Sequence, residues 1–315
     1  MRLACSLHAA VARTPPRARG AMVAGAPKRA VLAPEALFSH PEGCAPVALV
    51  DIGANLGDEA FAGDVEEVMS RAAAQGVRHV LITGTSVDKS SAAQALAHRL
   101  GPGAWFTAGV HPHDAKGWDA STRASLCSLL SDSRCVAIGE CGLDFNRNFS
   151  TPQEQEAALV EQLELAVELR KPLFLHCRDA APRLQHLLAA YLPRLSTPVV
   201  LHCFTGSAAE ARDFLALSPL VHVGVTGWLC DAREGRAEAL ADAVRCVPLD
   251  RLLLETDAPY LVPRNIAVSA KLKPRRNEPC LLPHVAAAAA AAKGLSMAQL
   301  AEAITANAIR VFGLS

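Results

Sequence analysis

Glu140, His176, His202 and Asp257 each close a short apolar run: Ala137-Ile-Gly-Glu140, Leu173-Phe-Leu-His176, Leu201-His202 and Leu253-Leu-Glu-Thr-Asp257. A polar residue at the end of one such run means little. Two imidazoles and two carboxylates at comparable positions supply only nitrogen and oxygen donors, which suits a divalent cation. A cation there would bring the pKa of a bound water from 15.7 down towards about 7, the basis of metal-assisted hydrolysis. Asp257 could ligate the ion and orient the attacking water, and Glu140 could bridge to a second ion about 3.5–4 Å away. In an extended chain neighbours point to opposite faces, so Cys141, Cys177 and Cys203 should face away from the site as packing residues.

Further groups stand where a substrate would pass. Val110-His-Pro-His-Asp114 offers His111 and His113 on one side of an extended segment, for a second metal, for a phosphate oxygen, or as a plain polar loop. Arg178, two residues beyond His176, should face the same side and pair with phosphate. The segment Lys273-Pro-Arg-Arg-Asn-Glu-Pro279 brings Arg276 and Asn277 as substrate-binding candidates, although its composition also suits a solvated loop.

The elements that must position these groups alternate. Strand patterns fall at 48–53, 79–84, 104–111, 136–141, 172–177, 198–203, 220–226 and 252–257, with helical patterns between them. Asp58 to Gln75 reads as one helix stopped by Gly76. Thr151-Pro-Gln-Glu154 reads as a capped helix start, as does Ser296 with Gln299. The Ala286–Ala292 run is helix ended by Gly294. Eight strands alternating with helices, with polar residues gathered at the strand ends, predict an α/β fold of the (β/α)8 TIM-barrel type. A doubly wound open sheet competes, but no Gly-x-Gly-x-x-Gly or Walker loop follows the first strand.

Composition sets the bounds. Residues 1–47 form an Ala-, Pro- and Arg-rich extension, and residues 48–315 form the barrel domain. The first 34 residues hold six basic residues and no acid, leaving 25 Lys plus Arg against 31 Asp plus Glu, a body of about −6. That body is not coated for phosphate, so nucleic-acid affinity must come from a local site. The extension is a tail, a targeting peptide, or the product of an early start with Met22 nearer the true one. Ten cysteines without a Cys-x-x-Cys pair suit free thiols in a reducing, cytoplasmic setting, or a mitochondrion or plastid if the extension is a transit peptide. No apolar run reaches the roughly 18 residues of a membrane span, so no membrane partner is expected.

Five motifs bring a resemblance into view. They are Thr107-Ala-Gly-Val-His-Pro-His-Asp114, Ile138-Gly-Glu-Cys-Gly-Leu-Asp-Phe-Asn-Arg-Asn148, His202-Cys-Phe-Thr-Gly206, Glu255-Thr-Asp-Ala-Pro-Tyr260 and Arg276-Asn-Glu-Pro279. From about Val50 to Phe312 the chain resembles the TatD family of metal-dependent nucleases, in particular its bacterial TatD branch. The resemblance implies an amidohydrolase-type barrel and 3′-to-5′ exonuclease action on single-stranded DNA, with RNA a further candidate. It also implies Glu140, His176, His202 and Asp257 as metal ligands, Asp257 as water activator, and His111 at the substrate phosphate. Many members of the wider family begin with Asp-x-His-x-His, where this chain, like the bacterial TatD branch it resembles, has the pattern of Asp51-Ile-Gly-Ala-Asn55. One firm site for magnesium, with manganese or zinc as alternatives, and at most a weak second site follow. The rival readings are a metal hydrolase of another ester or amide bond, such as an aminoacyl-tRNA ester or a small molecule, and a barrel serving only as a protein scaffold.

Overall fold

The computed structural model describes residues 46–266 and 276–315. The extension and Lys273 to Arg275 of the basic loop lie outside the described residues, apart from Pro46 and Val47.

Eight strands pair in chain order, each parallel to the next. They are β1 (Leu49–Ala54), β2 (Val77–Ile82), β3 (Ala104–Ala108), β4 (Cys135–Asp144), β5 (Leu173–Arg178), β6 (Val199–Leu201), β7 (Val221–Val225) and β8 (Leu252–Leu254). Among the described residues the helices are α1 (Val65–Ala74), α2 (Val87–Leu100), α3 (Thr122–Leu130), α4 (Pro152–Leu169), α5 (Ala181–Tyr191), α6 (Ala208–Leu217), α7 (Arg236–Cys246), α8 (Leu282–Lys293) and α9 (Met297–Phe312). The seam between β8 and β1 is closed by the chain just past β8. Asp257 N donates to Gly53 O at 2.9 Å and Asn55 N to Ala258 O at 2.7 Å. Buried Asp51 ties the same seam, accepting from Thr256 N at 2.9 Å and Thr256 Oγ1 at 2.5 Å. This is the TIM barrel that the alternation predicts.

The core has two shells, as parallel strands covered on both faces require. Leu49, Val80, Ile82, Ile138 and Leu175 pack outward under the helices. Val50, Ile52, Leu81, Phe174, Val200 and Leu253 fill the barrel, and Val311, Phe312 and Leu314 at the end of α9 join them. Thr151 and Glu154 form the capping box of α4, Ser296 and Gln299 that of α9, and Gly294 ends α8 with φ 67°.

Two expectations need correction. Asp58 to Gln75 is not one helix: a 3-10 turn at Glu59–Phe61 precedes α1. Gly63 and Asp64 break the run, because Asp64, at φ −156° and ψ 26°, leaves helical geometry and turns its carboxylate to Arg71 and Arg276. The strands are also shorter than expected at 104–111, 198–203 and 252–257, so His111, His202 and Asp257 lie just beyond strand ends.

Candidate active site

The carboxyl ends of the strands open into a cavity of about 1120 Å³. Glu140, His111, His176, His202 and Asp257 all line it. β4 shifts register between Ile138 and Cys141, which leaves Ile138 and Cys141 in the outer shell and sends Glu140 inward. Its Oε1 then lies 3.2 Å from His111 Nε2, 3.0 Å from His176 Nδ1 and 3.0 Å from His202 Nε2. Three imidazole nitrogens thus converge on one carboxylate oxygen, a cluster of nitrogen and oxygen donors of the kind a divalent cation takes.

The electrostatics follow. Burial alone would push Glu140 up, but the charges of His202 and His111 and the imidazole hydrogen bonds outweigh it and hold the carboxyl well below its usual range. His202 is likewise opposed by burial, yet the charges of Glu255 and Glu140 raise it well above its ordinary value. Burial lowers His111. His111 Nδ1 accepts the backbone N–H of His113 at 3.1 Å, which places the proton of the neutral ring on Nε2. His111 is therefore set up as a hydrogen-bond donor at the floor of the cavity.

Two acids organise the ring of histidines. Glu255, fully buried, sits 2.8 Å from His202 Nδ1 through Oε2 and accepts Cys203 N–H through Oε1 at 2.5 Å. Asp144 reaches His113 Nε2 at 2.7 Å and lies 3.6 Å from His176 Nε2. Burial opposes ionisation of Asp144, but the nearby His176 imidazole and the hydrogen bonds from Arg147 N and His113 hold it far below the usual carboxylate range.

The fit of a metal rests on one observation beyond the donor set. His176 Nε2 is buried and has no hydrogen-bond partner among the described residues, a cost that a ligand would relieve. His111, Glu140 and His176 present ligand atoms within 4.8 Å of one another. His202 Nδ1 faces Glu255, which leaves Nε2 on the cavity side, as in a ligating imidazole whose far nitrogen is held by a carboxylate. Asp257 is outside that close group. Its Oδ1 accepts from Asn55 Nδ2 at 2.9 Å, its φ is 53°, and desolvation raises its pKa to about 7 against the opposing pull of His202.

Other expected positions divide. Arg178 lines the cavity, exposed, with its guanidinium unpaired among the described residues. His113 lines it too, engaged by Asp144. Arg276 and Asn277 do not line it. Arg276 bonds Asp64 Oδ2 at 2.8 Å and Glu278 Oε1 at 2.6 Å and stacks over Phe61, while buried Asn277 donates to Thr256 O at 2.8 Å. Cys141 faces the helices as alternation requires; Cys177 packs against the outer shell but also borders the cavity, and Cys203, with φ 45°, lines the cavity because the chain turns once β6 ends. Glu255 and Asp144 were not singled out from the sequence. Their spacing was the available signal: two residues before Asp257 and four after Glu140, on the same side of an extended chain.

The family model described as TatD related DNase matches residues 50–313. The chain belongs to the TatD family. The 3′-5′ ssDNA/RNA exonuclease TatD of Cronobacter sakazakii is 50% identical over 264 residues, 84% of this chain and 97% of that protein. The protein of the same name from Klebsiella pneumoniae is 47% identical over 268 residues, 84% of this chain and 98% of that one. Among solved structures, a TatD homologue from Escherichia coli superposes with TM-score 0.75 at 27% identity, covering 85% of this chain and 98% of that one.

Proposed function

We propose that this TatD-family chain is a divalent-metal-dependent exonuclease that removes nucleotides from the 3′ end of single-stranded DNA or RNA. The observation that carries the reading is the pairing of the Glu140–histidine floor with a rim of unpaired cations. Lys89, Lys116, Arg147 and Arg178 line the cavity, and their charged heads make no hydrogen bond or ion pair among the described residues. Elsewhere Arg71, Arg123, Arg183, Arg194 and Arg276 are each matched to carboxylates. Exposed cations left free around a cavity suit a polyanion, in a body that is otherwise acidic.

The division of labour follows from the atoms. Glu140, His176, His202 and Asp257 would hold the ion, which when bound polarises the phosphoryl oxygen and eases deprotonation of water. The donors admit magnesium, manganese or zinc. His111 Nε2–H donates to a phosphate oxygen at the floor. Asp257, with Oδ1 tied to Asn55, would turn its other oxygen to the ion and the attacking water and take that water's proton. Arg178 and the rim cations neutralise the neighbouring phosphates. Glu255 fixes the ring of His202.

The test uses 3′-labelled and 5′-labelled single-stranded DNA and RNA with magnesium or manganese, beside Glu140→Ala and Asp257→Ala. Stepwise shortening from the 3′ end by the unmodified protein alone is expected. Equal cleavage by all three proteins, or none by any, would move the function to another ester or amide bond.

A further inference from the structure

Phe149 is the most exposed large apolar side chain among the described residues, at 59%. Such a ring on a surface loop forfeits its burial free energy and needs a reason. It lines the catalytic cavity, and its centroid lies 4.9 Å from that of His113 in an edge-to-face contact at 77°. Such a contact covers at most one face of the ring.

The loop that carries it is firmly built. Asp144 Oδ1 accepts from Asn146 N at 2.9 Å and from Arg147 N at 2.8 Å. Phe149 N donates to Arg147 O at 2.7 Å. Ser150 is locked by its hydroxyl to His113 O at 3.1 Å and by its carbonyl to Gln155 Nε2 at 3.0 Å. The exposed ring is therefore held in place, and the same Asp144 that orients His113 also sets the loop. Arg147 stands two residues away, and Lys116, whose N–H bonds Ser150 Oγ at 3.0 Å, also lines the cavity beside the loop. A fixed aromatic face between free cations is what a stacked base flanked by its phosphates requires.

We propose that Phe149 is a stacking platform for one base of the substrate strand near the scissile phosphate, and so a determinant of single-strand specificity. This rests on the nuclease reading above. A base within a duplex already has both faces stacked and its edge paired, so only an unpaired strand can give a base to the ring without loss. Because the contact is made equally before and during reaction, it sets KM rather than kcat.

The experiment couples the side chain to the base. Single-stranded oligonucleotides carrying an abasic site at each of the last three positions in turn are assayed with the unmodified protein, Phe149→Ala and Phe149→Trp. In the unmodified protein one abasic position raises KM by about 5- to 100-fold. In Phe149→Ala the intact strand already shows that rise and the same abasic site adds little, while Phe149→Trp keeps the penalty. An equal abasic penalty at every position in Phe149→Ala and the unmodified protein overturns the stacking role and leaves the nuclease reading standing. An unmodified protein that cleaves none of the strands overturns the nuclease reading and the platform with it. Thermal unfolding of each variant, unchanged for so exposed a side chain, separates either result from misfolding.

Discussion

Glu255 holds His202 from within the barrel, its Oε2 2.8 Å from Nδ1, in a space that two glycines keep open. A Cβ at Gly53 or Gly224 would collide with one carboxylate oxygen or the other. Gly53 is also where many family members place a strand-one histidine. Here the volume goes to an acid that acts on a histidine of β6. Removing its charge while keeping its shape should loosen the metal, not the fold. Glu255→Gln is expected to weaken divalent-cation affinity about 10- to 100-fold, with activity recovering partly in excess metal. Calorimetric titration of the metal checks this, and an unchanged affinity would rule out the orienting role. Gly53→Ala should fail in the same direction by displacing Glu255.

The catalytic reading also predicts strict metal dependence. His176 Nε2 makes no hydrogen bond among the described residues, and Glu140 Oε1 is ringed by nitrogens that a cation would otherwise share. Protein treated with chelator and dialysed should lose its activity and regain it with magnesium or manganese. With Asn55 and Gly53 where many members of the wider family carry histidines, one equivalent should bind tightly and any second weakly. Full activity after chelation, or two equivalents of equal affinity, would contradict this.

How far the sequence could be read differs between elements for physical reasons. The barrel was legible because buried parallel strands are continuous apolar runs; His176 closes such a run in β5, His202 follows β6 directly, and Glu140 breaks the run within β4, which continues to Asp144. The positioning acids were harder. Glu255 looks like part of a strand, and only the glycines opposite explain how a charge fits there. Arg276 was misleading because its partner Asp64 lies 212 residues upstream, a pairing that composition cannot reveal. The break in the 58–75 helix has the same origin, since Asp64 leaves helical geometry to meet that arginine.

Arg178 and Arg276 therefore separate function from stability. Arg178 is exposed in the cavity with no carboxylate partner, so Arg178→Ala should leave the unfolding temperature within a degree or so. It should raise KM for oligonucleotides several-fold, about the value of one charge-assisted phosphate contact. The salt dependence of binding should flatten by about 0.7 of a unit in log–log slope, the share of one phosphate on a single strand. Fluorescence titration of a labelled strand over a range of salt measures this; an unaltered slope would remove Arg178 from the phosphate path.

Arg276→Ala should do the reverse. Its guanidinium joins Asp64 and Glu278, which Arg71 also meets at 3.2 and 2.8 Å, in a partly buried cluster against Phe61. Losing it leaves two acids sharing one arginine and should cost about 1–3 kcal/mol. The hydrogen bond from Arg276, ahead of the opposing effect of burial, holds Asp64 below its usual carboxylate range. A carboxyl depressed in the folded state contributes stability that is present above its unfolded pKa, about 4, and lost as pH falls through the folded value. The stability gap between the unmodified protein and Arg276→Ala should hold from pH 7 to about 5 and narrow as pH falls below about 4. Urea unfolding at a series of pH values reads this gap directly. A gap that stayed constant into acid would show that the arginine acts through packing on Phe61 and not through the carboxylates.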